Sequence, residues 1–76
     1  MTTNVIFKSG LKLMCERVNK LSSLSFLYFE SLCASKASEL MTECLRNEWS
    51  FEQTSGNGLR ISVPNEQIER FEASFF

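Results

Sequence analysis

Apolar and polar residues alternate at Trp49 and Phe51, and again at Leu59, Ile61 and Val63, on either side of Gly56-Asn57-Gly58. A strand sends successive side chains to opposite faces, and a tight turn needs residues that tolerate positive φ, so residues 49–64 predict a β-hairpin. Its register follows from the same pattern. A two-residue Asn57-Gly58 turn would split Phe51 from Val63 across the two faces. A three-residue Gly56-Asn57-Gly58 loop, pairing Ser55 with Leu59, Gln53 with Ile61 and Phe51 with Val63, keeps the apolar set together. In that loop Gly58 takes the left-handed position.

Elsewhere the pattern is helical. Leu11, Met14, Val18 and Leu21 recur in steps of three and four, with Lys12, Glu16, Arg17 and Lys20 between them, and predict an amphipathic helix from which Leu13 alone departs. Leu24–Phe29 is apolar on both parities and fits a buried strand or a buried helix. The stripe Phe29, Cys33, Ala37, Leu40 and Cys44 favours helix over most of 24–48, broken near Ser31–Ser35, with Ser35 able to cap the well-patterned stretch 36–48. Val5–Phe7 predicts a short strand. Asn65 and Glu66 suit a helix start, and Ile68, Phe71 and Phe75 continue at helical spacing. The expected architecture is a single α+β domain over residues 1–76. Two or three helices pack on a small antiparallel sheet built around the 49–64 hairpin. Phe29, Leu40, Met41, Cys44 and Leu45 would face Trp49, Phe51, Ile61 and Val63.

Composition narrows the chemistry. The chain has 76 residues, no histidine and no aspartate, so an ordinary Ser-His or Cys-His pair and a His-based zinc site are excluded. Glu39, Glu43 and Glu48 follow helical spacing and read as a solvated face. We expect no metal, no cofactor and no catalysis, because a chain this short leaves little room for a pocket of about 300 Å³ or more. Cys15, Cys33 and Cys44 form an odd set without Cys-x-x-Cys spacing, which suits buried free thiols in a reducing compartment. The opening Met1-Thr2-Thr3-Asn4 lacks the pattern of a signal peptide, and no apolar run approaches the ~20 residues of a membrane span. The expected setting is cytoplasmic.

Two likenesses of layout bear on function. Helices followed by a two-stranded ribbon resemble a winged helix-turn-helix, in which 36–48 would be the reading helix. Lys36 and Arg46 stand there against Glu39, Glu43 and Glu48, a face that phosphate would repel. The passage from Leu45 to Arg60 resembles the double-stranded-RNA-binding-like fold of HicA-type toxins. Those use a histidine just after the turn, where this chain has Leu59-Arg60, so that nuclease activity does not carry over.

The favoured expectation is a small interaction module (an inhibitor, regulator or accessory subunit) that binds another protein or a second copy of itself. Phe71, Phe75, Phe76, Asn57 and Arg60 are its candidate contacts. The terminal Phe75-Phe76 is either docked on the core or part of an exposed patch. The alternative is nucleic-acid binding through Lys8, Lys12, Arg17 and Lys20. With Glu16, these residues give positions 1–20 a charge of +3 against −4 for the remainder, within a net charge of −1.

Overall fold

The computed structural model describes residues 1–74. Four strands come first, β1 (Thr2–Phe7), β2 (Lys12–Cys15), β3 (Arg17–Leu21) and β4 (Leu24–Phe29). Helix α1 (Ala34–Asn47) follows, then β5 (Ser50–Thr54), β6 (Gly58–Pro64), a 3-10 turn at Asn65–Gln67 and β7 (Ile68–Ser74). Among the described residues the class is α+β, but with one helix and two antiparallel sheets, ordered β2-β1-β7 and β3-β4-β6-β5. The two or three expected helices reduce to α1.

The predicted helix over 11–21 is instead β2 and β3, joined at Glu16. Leu13 and Cys15 point inward from β2, where Leu13 opposes Val5 and Cys15 opposes Thr3. The chain then turns a corner at Glu16, whose N–H donates to the Tyr28 carbonyl at 2.9 Å, and Val18 rather than Arg17 shares the inner face with Leu27. The helical stripe mixes two faces: Met14 and Leu21, 48% and 50% exposed, point outward while Val18 points inward, so apolar residues on both sides of the strands imitate steps of three and four. Leu13, the residue that breaks the helical stripe, is the buried one. Ser22-Ser23 is the two-residue loop of the β3–β4 hairpin, with Ser22 at φ 35°.

The C-terminal helix is replaced in the same way. Phe7 opposes Ile68 and Val5 opposes Phe71, with a bulge between, so residues three apart meet one face of a strand. Asn65 caps no helix. Its side chain donates to the Ser22 carbonyl at 2.8 Å and accepts from the buried Ser25 hydroxyl, fastening the 3-10 turn to the β3–β4 hairpin.

Helix α1 forms where the stripe of Ala37, Leu40, Met41 and Cys44 predicts it, with Cys33 rather than Ser35 at the N-cap position. It ends at Glu48, which is left-handed at φ 59°. Trp49 then turns into the core, 6% exposed, stacks on Phe7 at 5.0 Å between centroids, and donates its indole N–H to Gln67 at 2.9 Å. The core joins both sheets and the helix: Val5, Phe7, Leu13, Cys15, Leu27, Phe29, Leu40, Cys44, Trp49, Leu59, Ile61, Val63 and Ile68. Of the expected core, Met41 is partly buried, while Leu45 is 74% and Phe51 37% exposed.

The 49–64 hairpin is present with its apolar residues on one face, but its register is moved. Thr54 opposes Gly58, Gln53 opposes Leu59 and Phe51 opposes Ile61, leaving Ser55-Gly56-Asn57 as the three-residue loop. Gly56, at φ 78°, takes the positive-φ position expected of Gly58. Gly58 serves a different need, since a Cβ there would lie 2.7 Å from the Phe29 carbonyl oxygen and closer still to Thr54 Oγ1. The Thr54 hydroxyl can rotate away, but the Phe29 carbonyl is fixed. Gly58→Ala should therefore destabilise the fold by about 1–3 kcal/mol, as overpacking in a closed site does, read as a lower urea midpoint at unchanged m-value.

Candidate binding face

Strands β3, β4 and β6 bring together side chains that lie far apart in the sequence. Arg17 opposes Tyr28, and Tyr28 opposes Arg60; Asn19 opposes Phe26, and Phe26 opposes Ser62. The buried partners Ser25, Leu27, Phe29, Leu59, Ile61 and Val63 occupy the other parity, so these residues form the outer face of the sheet. On it the Arg17 guanidinium sits 3.8 Å from the Tyr28 ring centroid, and the Arg60 guanidinium 5.1 Å from that of Phe26. Each such contact on an exposed face is worth about 0.5–1 kcal/mol. Arg60 also meets Glu52 at 3.3 Å, whereas Arg17 has no ion-pair partner among the described residues. Leu21 and Leu24, 50% and 40% exposed at the β3–β4 turn, extend the face with apolar surface.

The candidate residues read from the sequence are scattered by this arrangement. Arg60 lies at the centre of the face. Asn57 is in the three-residue loop, where its carbonyl accepts from Leu32 N–H. Phe71 is partly buried on β7 against the core, with Lys20 Nζ 5.7 Å from its ring centroid. Phe75 and Phe76 lie outside the described residues. The basic stripe is parted because its helix is absent: Lys8 is in the turn after β1, Lys12 is on β2, and Arg17 and Lys20 take opposite faces of β3. Nothing in the sequence marks Tyr28 and Phe26, because an all-apolar run reads as core. The signal available was their parity, opposite to Leu27 and Phe29.

A second concavity is larger than so short a chain led us to expect. A groove of about 800 Å³ runs between α1 and β2 over Leu13, Phe29, Leu32 and Leu40. Its rim carboxylates are already engaged: Glu39 with Lys36 at 3.5 Å, and Glu43 with Arg46.

The three cysteines divide. Cys15 and Cys44 are buried and burial pushes both thiols up to about 11, whereas Cys33 is exposed and a hydrogen bond with Ser35 lowers its pKa. The expectation that all three are buried fails at Cys33, because the chain crosses from β4 to α1 over the surface there.

No family model, curated protein or solved structure matches the chain.

Native alkylation at pH 8 should label Cys33 alone, with Cys15 and Cys44 reacting only on unfolding, as counted by mass spectrometry. Raising the pH past 9 deprotonates the unfolded thiols while the folded state still holds the Cys15 and Cys44 protons up to about 11. The unfolded state then binds fewer protons, so stability should fall across that window, and replacing both by Ala should flatten the fall.

Proposed function

We propose that this chain is a non-catalytic binding module that engages another protein through the outer face of β3, β4 and β6, as an inhibitor, regulator or accessory subunit does. The observation that carries this reading is the pair of arginine-on-ring contacts, Arg17 on Tyr28 and Arg60 on Phe26, side by side on an open sheet. Arginine and aromatic residues are over-represented among the side chains that dominate binding energy. A guanidinium already seated on a ring loses less freedom on binding than a free one. Arg17 offers its charge to a partner carboxylate, and Leu21 and Leu24 offer apolar contact beside it.

The alternative is a single-stranded nucleic acid stacked on the same two rings, a use that open sheets with aromatic residues and arginines support. Charge disfavours it: Glu52 offsets Arg60, and the chain as a whole is at −1.

Affinity purification from the native host, with and without nuclease, separates the two. The expected result is a stoichiometric protein that survives nuclease and is lost from the Arg17→Ala/Tyr28→Ala variant. Loss of one hot spot of about 2 kcal/mol weakens binding roughly 30-fold. Recovery of nuclease-sensitive nucleic acid, with affinity falling linearly in log salt, would replace the protein reading by the nucleic-acid one.

A further inference from the structure

Strand β5 is the outer strand of the four-stranded sheet, and among the described residues nothing pairs with its free edge. Proteins ordinarily guard such edges with lysine, proline, inward charges or a bulge. The other edges here are guarded: β2 by Lys12, β3 by Arg17 and Lys20, and β7 by its bulge together with Glu69, Arg70 and Glu72. In contrast, β5 reads Ser-Phe-Glu-Gln-Thr in an unbroken register, and its one charge, Glu52, is engaged by Arg60 within the same sheet.

Apolar surface lines this same edge. Phe51 has the parity of the core face yet remains 37% exposed. Helix α1 crosses above it with a defined orientation, because Ala34 and Ala37 share a cavity with Gln53 and Thr54 of β5, while Lys36, Glu39, Glu43 and Arg46 face the β2 side. On a helical wheel Met41 and Leu45 fall on the Ala37 flank, so Leu45, 74% exposed, is turned toward the β5 edge.

The geometry points to β5 as a self-association edge, pairing antiparallel with β5 of a second copy about a two-fold axis normal to the sheet. The occupant is another copy because the edge is complementary to itself. A two-fold axis of this kind leaves each side chain on its own face, so only residues of equal parity can oppose one another. Centring the register on Glu52 would set two carboxylates directly opposite, which is destabilising. Centring it on Gln53 would set Phe51 against Ser55. Centring it on Phe51 sets ring against ring, places Glu52 opposite Ser50, and brings the two Leu45 flanks together above the rings. The dimer is therefore centred on Phe51, and the two four-stranded sheets become one of eight strands. The inference rests on β5 and the Leu45 flank of α1, and stands whether or not the outer face binds a partner. A ladder this short buries an area at the low end of specific interfaces, below about 1,200 Å², so association is reversible and concentration-dependent.

Sedimentation equilibrium of the full chain over a range of concentrations should show monomer and dimer. Phe51→Lys, a gatekeeper charge on the edge, should leave monomer with an unchanged circular-dichroism spectrum. Should that variant lose its fold, Leu45→Glu on the exposed helix flank asks the same question. The register is read by oxidation in a Cys33→Ser background, where opposed residues at about 4.5–5.5 Å between Cα atoms fall within disulfide range. Phe51→Cys should form a covalent dimer at least tenfold faster than Glu52→Cys. A chain monomeric at every concentration, or a dimer that a folded Phe51→Lys or Leu45→Glu variant leaves intact, would overturn the proposal. Faster cross-linking at Glu52→Cys would overturn the Phe51-centred register.

Discussion

The corner at Glu16 is the constraint on which the rest of the molecule depends. One run of chain serves both sheets, and a strand can do so only if it bends and changes which parity faces inward. Glu16 is held on both sides as it turns: its N–H donates to Tyr28, and its carboxylate accepts from Glu30 N–H at 3.0 Å. Cys15 is thereby directed into the core and Arg17 out onto the Tyr28 ring. Without the corner, β2 and β3 would be one straight strand. The two sheets would then have no shared core to close over, and Arg17 would not stand beside Tyr28.

Regularity of period decides what could be read from the residues alone. Helix α1 and the 49–64 hairpin were legible because each keeps an undisturbed period over its length. The strands at 12–21 and 68–74 were not: in the first, outward Met14 and Leu21 combine with inward Val18 into a helical stripe, and in the second a bulge adds one residue and converts alternation into a step of three. Leu13 held the counter-evidence in the first case. In the hairpin the face was legible and the register was not: Gly58 looked like a turn residue but is required where the chain passes close to Phe29.

The candidate face was hidden for a complementary reason. Leu24–Phe29 is apolar on both parities because one parity packs the core and the other carries the half-buried rings of Phe26 and Tyr28. Composition cannot distinguish a doubly buried strand from one whose outer aromatics are covered by arginines. The arginines came from positions 17 and 60, a separation that only the β3-β4-β6 pairing closes. Arg60 was legible as a candidate near the hairpin tip. Its partners on the face were not.

The pairing of β1 with β7 has a kinetic meaning. Thr2 lies opposite Ser74, so the central strand of the smaller sheet finds one neighbour within the next few residues and the other at the far end of the chain. Closing so wide a loop carries an entropic penalty that the local hairpins β1–β2, β3–β4 and β5–β6 avoid. Sheet β3-β4-β6-β5 with α1 can collapse first, whereas β7 must be delivered by the Asn65–Gln67 turn before β1 gains its second partner. The central strand of the smaller sheet thus precedes its second partner by the whole of the other sheet and is among the last strands to be fully paired.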